Sequence, residues 1–238
     1  NALARYHLQL KDAHTAHLSW HNTKMESKQS FMPRSILIIL ILAVVLNIAR
    51  ILIFHSTAHI YILWNIFLAF LPLIFSYVLV SSTYKKNITK FWFVVLGLAW
   101  LFLLPNAPYI VTDLIHIGEG KTVPALFDSF ALFSAALAGL LMGLYSISQA
   151  EKAITSRYSA RVSSVVIPIV LMLTSFGIYI GRFLRWNSWD VIANPFSLFE
   201  DVREVVVYPD KYNNVYIYVG LFFVFMYASY LAWKHRGK

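Results

Sequence analysis

The feature that most constrains this fold is the recurrence of long apolar runs. A transmembrane helix needs about 20 consecutive apolar residues, and six such segments follow one another: 35–54, 60–81, 91–110, 128–149, 163–185 and 214–233. The chain is 59% hydrophobic and 13% charged, whereas an ordinary soluble domain carries about 25% charged residues. Because lipid offers no hydrogen-bond partner to an open backbone, such segments span as helices. The sequence therefore predicts an all-α polytopic membrane protein with six transmembrane helices.

The first 34 residues are polar and differ from the rest of the chain. They carry four of the eight histidines, and the chain begins with Asn1 while Met25 lies further in. We interpret residues 1–34 as a polar tail that is disordered or a start-site extension, so whether residues 1–24 belong to the natural protein is left open. Residues 35–238 form one transmembrane domain in this interpretation.

The longest connection, 186–213, contains the signature of an additional helix. Asn194 followed by Pro195 is typical of a helix N-cap and first position. The apolar residues that follow fall on one side of a helix: Phe196, Phe199, Val202 and Val206. Charged residues fill much of the other side. This pattern predicts an amphipathic surface helix between transmembrane helices five and six.

The basic residues of the loops predict the orientation in the membrane. They concentrate in four segments that alternation places on one side: Arg5, Lys11, Lys24, Lys28 and Arg34; Lys85, Lys86 and Lys90; Lys152, Arg157 and Arg161; Lys234, Arg236 and Lys238. Loops enriched in Lys and Arg are cytoplasmic. We therefore expect a plasma-membrane protein with both termini in the cytoplasm. This distribution also accounts for the formal charge of +9, so nucleic acid is not an expected partner.

With this orientation, unusual polar side chains gather on the extracytoplasmic side. Ionisable groups near hydrocarbon are costly and usually face a protein interior or a wet cavity. We therefore predict a shared polar pocket near the outer leaflet. Its predicted lining is Trp64, Asn65, Asn106, Tyr109, Asn187 and Asp190, with Asn47, His55, His59 and Trp189 at the same depth.

Asp113, His116 and Asp128 are the candidate catalytic residues of this pocket. Asp113 and His116 are three residues apart and share a helical face, which suits acid–base chemistry. Asp113 and His116 would also suit a metal site completed by Asp128, His55 or His59, although no HExxH-type pattern is present. The favoured interpretation is structural: the aspartates pair with arginines, and His116 caps a helix end.

Arg50, Arg182, Arg185 and Trp186 are the candidate lipid- or anion-binding residues. Guanidinium groups bind phosphate bidentately, and an indole packs on an acyl chain or a sugar. The alternative is interfacial anchoring by snorkelling arginines and a tryptophan belt.

Two further patterns concern packing. The segment Leu104–Pro108 places two prolines at the end of the third span, which frees backbone carbonyls for a ligand or turns the chain into the outer loop. Small residues repeat every four positions on two spans, a pattern that lets helices approach closely in lipid. They are Ala135, Gly139 and Gly143 on the fourth span, and Gly177 and Gly181 on the fifth.

Three motifs resemble a known family. Residues 63–69 (LWNIFLA), 102–114 (FLLPNAPYIVTDL) and 181–190 (GRFLRWNSWD) are similar to a bacterial family of integral membrane proteins known as domain of unknown function 1361. The resemblance spans roughly residues 35–235. It implies a multi-pass membrane protein and brings no activity, substrate or catalytic residue with it.

The sequence leaves the biochemical activity open. The favoured interpretation is a multi-pass membrane protein whose polar cluster binds membrane lipid or a membrane-protein partner. The alternative is a membrane enzyme that acts on a lipid or lipid-linked substrate by acid–base or metal chemistry at the outer leaflet. A small transporter is a second alternative, but it would require polar residues through the whole membrane thickness. The sequence indicates neither a particular cofactor nor an oligomeric state.

Overall fold

A computed structural model describes residues 30–118, 123–188, 190–208, 211–212 and 214–235. The predicted tail up to residue 29 lies outside the described residues, as does Trp189. All regular structure in the described residues is helical, in agreement with the predicted fold class.

The described residues form nine α-helices and one 3-10 helix. They are α1 (Arg34–Phe54), α2 (Tyr61–Tyr84), α3 (Lys90–Leu103), α4 (Asn106–Tyr109), the 3-10 helix (Ile110–His116), α5 (Ala125–Arg157), α6 (Ala160–Phe183), α7 (Asp190–Ala193), α8 (Pro195–Val207) and α9 (Val215–His235).

Six helical stretches are long and apolar enough to cross a membrane, which confirms the six predicted spans. They are α1, α2, the stretch from α3 through the 3-10 helix, α5, α6 and α9. Their ends lie close to the predicted ends, with two exceptions. The third stretch continues to His116, whereas the third span was predicted to end at residue 110. Helix α5 extends to Arg157, whereas the fourth span was predicted to end at residue 149. Its last turns carry polar residues, which the apolar run could not reveal.

Helix α5 is the central helix of the bundle. Its most apolar 18-residue window is 67% buried, against 22% for α1 and for α9. Polar contacts fasten it to its neighbours: Trp100 Nε1 donates to Ser146 Oγ at 2.7 Å, and Ser76 Oγ donates to Gln149 Oε1 at 2.7 Å. These two buried contacts thus satisfy polar side chains between helices, as a membrane interior favours.

The proline-rich end of the third span stays inside the bundle. After α3 ends at Leu103, the chain continues as α4 and the 3-10 helix instead of leaving as a loop. Both predicted rows of small residues face this segment. A Cβ on Gly139 would lie 2.5 Å from the Ala107 carbonyl oxygen, and a Cβ on Gly177 would lie 2.6 Å from Pro105 Cγ. Glycine on α5 and α6 therefore makes room for α4 between them.

Helix α8 begins at Pro195, as predicted, although the Asn194 side chain makes no capping hydrogen bond. Its apolar residues divide between two directions. Phe196 and Phe199 are exposed, whereas Val205 is buried against the bundle. Val202, which the helical pattern grouped with the exposed phenylalanines, instead lines a cavity. The apolar stripe is wide enough for one edge to contact protein while the other faces outward.

Candidate functional site

Two arginine–aspartate clusters lie at one end of the bundle. This end contains the connection between α1 and α2 and the connection between the 3-10 helix and α5. Both pairings confirm the expectation that the aspartates neutralise arginines. We call the first the closed cluster (Arg50, Ser56, His59, Gly118 and Asp128) and the second the open cluster (Asn65, Asp113, His116 and Arg182).

The closed cluster joins α1 to the start of α5. Arg50 Nε donates to Asp128 Oδ1 at 2.7 Å, and the two side chains are 1% and 0% exposed. The Gly118 backbone N–H donates to Asp128 Oδ2 at 3.1 Å, and Arg50 Nη1 donates to Ser56 Oγ at 3.4 Å. His59 Nδ1 lies 3.4 Å from Asp128 Oδ1. Three groups therefore surround one buried carboxylate, which compensates for its removal from water.

His59 belongs to the short connection between α1 and α2. Burial and, to a lesser degree, the neighbouring Arg50 guanidinium hold the pKa of His59 below its usual value of 6.5, and the Asp128 carboxylate opposes this shift. The direction of this shift agrees with the position of the ring, because a protonated His59 would put a second positive charge beside Arg50.

The open cluster joins α2, the 3-10 helix and α6. Arg182 Nη1 donates to Asp113 Oδ1 at 3.1 Å, and Asn65 Nδ2 donates to Asp113 Oδ2 at 2.9 Å. Arg182 Nη2 lies 2.9 Å from His116 Nε2. Because a guanidinium only donates, Nε2 must accept, and this places the ring proton on Nδ1. Asp113 and His116 do share a face, as their spacing predicted, and Arg182 bridges them.

The two clusters are neighbours but not one site. The rings of His59 and His116 are 6.3 Å apart, and Tyr61 contacts both rings. Asp113 and Asp128 belong to different clusters. Among the described residues, no group of three His, Asp or Glu side chains converges as a metal site would require.

A cavity of about 530 Å³ adjoins the open cluster but not the closed one. Asn65, Asp113, His116 and Arg182 all line it, together with other polar residues: Tyr61, Asn106, Tyr109, Trp186, Asn187 and Ser188. The rest of its wall is mainly apolar and comes from five helices: Leu68 on α2, Leu101 and Phe102 on α3, Leu173, Phe176 and Ile180 on α6, Val191 on α7, and Leu198 and Val202 on α8. The cavity therefore has the size and mixed lining that small-molecule sites typically show.

The predicted site residues divide between positions inside and outside this lining. Asn65, Asn106, Tyr109, Asp113, His116, Arg182, Trp186 and Asn187 line the cavity. The remaining five lie outside it: Arg50 and Asp128 are in the closed cluster, Trp64 is exposed beside Phe67, Arg185 is exposed, and Asp190 accepts hydrogen bonds from Asn187. Arg185 also adopts a left-handed backbone conformation (φ 60°) just after α6. This turn ends the helical register that would have kept Arg185 beside Arg182.

Several contacts had no signal in the sequence. Asn106 Nδ2 donates to Ser188 Oγ at 2.8 Å, and Ser188 Oγ in turn donates to Asn106 Oδ1 at 3.1 Å. Trp186 Nε1 donates to Asp201 Oδ2 at 2.7 Å, which fastens α8 over the cavity. These partners are 82 and 15 residues apart, so only the packing of the segment 184–208 onto the bundle brings them together.

Comparison with known proteins gives one match. No curated protein and no solved structure matches the chain. The family described as "Protein of unknown function (DUF1361)" matches residues 64–228, a region that includes the open cluster, every lining residue of the cavity except Tyr61 and most of the three motifs. Because that match covers more than half of the chain, this multi-pass membrane protein belongs to the DUF1361 family.

Proposed function

We propose that this protein binds one amphiphilic lipid in the cavity. The polar group of the lipid would lie against the open cluster, and its hydrocarbon would lie along the wall formed by α3, α6 and α8. The observation that carries this proposal is that one cavity is lined both by the hydrogen-bonding groups of the open cluster and by apolar side chains of several helices. A water-soluble ligand would gain nothing from the apolar wall, and a pure hydrocarbon would leave the remaining N–H donors of Arg182 without acceptors.

The polar end is proposed to face the extracytoplasmic side of the plasma membrane. The opposite end of the bundle carries the connections rich in Lys and Arg, and there Lys234 pairs with Glu151 and Arg157 donates to the Ile88 carbonyl. Basic loops favour the cytoplasmic side. The lipid would accordingly come from the outer leaflet.

Matched tryptophan variants on α8 test lipid binding. Val202→Trp puts an indole into the cavity, whereas Val206→Trp places the same side chain at an exposed position on the same helix. The protein is purified in detergent, and bound lipid is quantified by extraction and mass spectrometry. We expect Val202→Trp to lose a lipid that Val206→Trp retains at the parent stoichiometry. Equal lipid content in the two variants would contradict the proposal.

A specific observation supports catalysis as a second candidate function. Asp113 and His116 both line the cavity, and Arg182 links them. A lipid bound there would therefore meet a carboxylate and an imidazole, the groups that acid–base chemistry uses. Mass spectrometry of lipids incubated with the pure protein separates the two functions. A product that forms with the parent and not with His116→Gln would establish an enzyme, whereas unchanged bound lipid would establish a binding protein.

Single cysteines test the orientation, because the chain contains no cysteine. Thr57 is exposed at the end of the bundle that carries the clusters, and Asn87 is exposed at the other end. We expect a membrane-impermeant thiol reagent to label Thr57→Cys in intact cells and Asn87→Cys only after lysis. The reverse pattern would place the cavity on the cytoplasmic side.

A further inference from the structure

We infer that the lipid bound in the cavity has an uncharged, hydroxyl-rich headgroup, of the kind a sugar-bearing lipid presents, and that it enters sideways from the bilayer between α3 and α6. This inference rests on the proposed lipid-binding function and names its ligand class. It departs from the phosphate-binding role that the arginines alone suggest.

The charge balance of the cavity argues against an anionic headgroup. Among the described lining residues, the guanidinium of Arg182 and the carboxylate of Asp113 are the two groups with an opposite-charge partner, and they are 3.1 Å apart. A phosphate near Arg182 would therefore also lie near the Asp113 carboxylate, and repulsion from one would offset attraction to the other. The second candidate arginine, Arg185, lies outside the lining. The polar end accordingly lacks the surplus positive charge that phosphate sites use.

The hydrogen-bonding groups that remain are of mixed type. Arg182 uses two of its five N–H donors within the open cluster, and the Asn65 amide nitrogen donates to Asp113. Asn187 uses its side-chain nitrogen on Asp190. Among the described residues, the amide oxygens of Asn65 and Asn187 have no hydrogen-bond donor. Donors and acceptors thus both face the cavity. A hydroxyl group donates and accepts, whereas a phosphate oxygen only accepts.

Two aromatic residues extend the polar end. Trp186 and Tyr109 both line the cavity, and the Trp186 indole nitrogen is held by Asp201. Each offers a flat apolar face with a polar tip. A sugar ring has the complementary construction, with C–H groups on its faces and hydroxyls around its edge. A lipid that carries only a small hydroxyl would leave these aromatic faces uncovered.

The route of entry follows from residues that are both exposed and part of the cavity wall. Phe102 on α3 is 57% exposed and Leu173 on α6 is 47% exposed, yet both line the cavity. Both belong to membrane-spanning stretches, so the two side chains mark the place where the apolar part of the cavity comes nearest to the surrounding hydrocarbon. We take this place, between α3 and α6, as the route of entry, and the tail of a bound lipid would extend through it.

A lipid competition measures the headgroup preference. Delipidated protein, kept in a detergent without a sugar headgroup, is offered three lipids with identical acyl chains: a monohexosyl diacylglycerol, phosphatidic acid and diacylglycerol. Free hexose forms a fourth arm. Native mass spectrometry counts the bound species. We expect the hexosyl lipid to exceed phosphatidic acid and diacylglycerol by about tenfold, and free hexose not to bind. Preference for phosphatidic acid or for diacylglycerol would overturn the inference, as would binding of free hexose as strong as that of the hexosyl lipid.

Asp113→Asn tests the charge argument directly. This variant keeps the shape of the side chain but leaves Arg182 without its counter-charge. We expect the preference to move from the hexosyl lipid toward phosphatidic acid, and an unchanged preference would contradict the argument. Phosphatidic acid bound by the parent and displaced by Val202→Trp would overturn the headgroup class alone. If the parent protein bound none of the three lipids in a way that Val202→Trp abolishes, the proposed function would be overturned as well.

Matched substitutions on α6 test sideways entry. Leu173→Trp narrows the gap, whereas Ile169→Trp places the same side chain one helical turn away, at an exposed position outside the lining. The rate at which bound lipid exchanges with labelled lipid in bilayer nanodiscs is then measured. We expect Leu173→Trp to slow exchange about tenfold and Ile169→Trp to leave it unchanged. Equal rates in the two variants would exclude this gap as the route.

Discussion

Two clusters of the same chemical type lie side by side in this protein, and their surroundings differ. Each contains an Arg–Asp pair and a histidine. In the closed cluster the paired side chains are 1% and 0% exposed and do not line the cavity, whereas in the open cluster Arg182 is 15% exposed and faces the cavity. One cluster is therefore suited to holding helices together, and the other is suited to receiving a ligand.

The comparison shows why ionisable residues near hydrocarbon do not by themselves identify a site. Arg50 and Arg182 are equally unusual in the sequence, as are Asp113 and Asp128. The distinction comes from what the remaining hydrogen-bonding groups face: protein in the closed cluster and open space in the open cluster. A buried pair that is fully enclosed is costly to break, but it has no surface to offer to a ligand.

The largest expected effect is the loss of stability on breaking the closed cluster. Asp128→Ala leaves the Arg50 guanidinium buried without its partner, so we expect unfolding to become easier by about 3–5 kcal/mol. Asp113→Ala should cost clearly less, because the Arg182 side chain is 15% exposed and faces the cavity instead of being enclosed by protein. Thermal unfolding in detergent measures both. A cost for Asp113→Ala equal to that for Asp128→Ala would remove the distinction between the clusters.

Replacing both partners together sharpens the same comparison. Exchanging a buried ion pair for apolar residues is often neutral or stabilising by about 1–4 kcal/mol, so Arg50→Met with Asp128→Leu should regain most of the stability that Asp128→Ala loses, and should keep bound lipid. Arg182→Met with Asp113→Leu should also fold, but should lose the lipid. Unfolding and lipid content are measured on the same preparations. Lipid retained by the second double variant would contradict the role of the open cluster.

An intermediate effect is expected where α4 passes between α5 and α6. Gly177→Ala forces a Cβ against Pro105, and overpacking of this kind costs about 1–3 kcal/mol. Gly220→Ala is the matched control, because its Cβ would meet no atom within 4 Å. Both substitutions gain the helix propensity of alanine, so we expect the Gly177 variant to unfold earlier than the Gly220 control, which meets no steric conflict. Equal stability of the two would mean that α4 shifts without cost.

The smallest expected effect is a pH dependence that originates in the closed cluster. Since the folded protein holds the pKa of His59 below 6.5, the unfolded chain binds a proton first as the pH falls. Stability should therefore decrease as the pH drops below 6.5 toward the pKa of the folded state. The charged and titratable groups that face this ring are Arg50, Asp128 and His116. All three remain in the control variant, His59→Gln. Thermal unfolding between about pH 8 and pH 5 should show a smaller decrease for the variant, and identical curves would contradict the prediction.

The sequence predicted which segments form helices better than it predicted which residues contact one another. Hydropathy located all six spans, because every spanning segment must itself be apolar, whatever it packs against. The Asn194–Pro195 signal located the start of α8 for an equally local reason. The pairing of Arg50 with Asp128, and of Arg182 with Asp113, was predicted only as a choice among several arginines. Residues 50 and 128 are 78 positions apart, and no local pattern distinguishes one arginine from another.

The candidate site shows the same limit. Eight of its lining residues were named from their depth in the membrane, but Trp64 and Arg185 at the same depth point elsewhere. Depth follows from position along an apolar helix, whereas direction depends on how each helix is rotated about its axis and on the turn at Arg185. Rotation is decided by packing, here by glycines that admit α4 between α5 and α6.

By itself, the sequence determined that this chain forms a bundle of six membrane helices with a surface helix and gathers its polar residues at one end, because the cost of placing polar groups in hydrocarbon acts on each segment separately. Only the tertiary structure decided which arginine meets which aspartate, and that one pair is enclosed while the other opens onto a cavity. Those outcomes depend on contacts between residues far apart in the chain, and these contacts exist only once the helices pack.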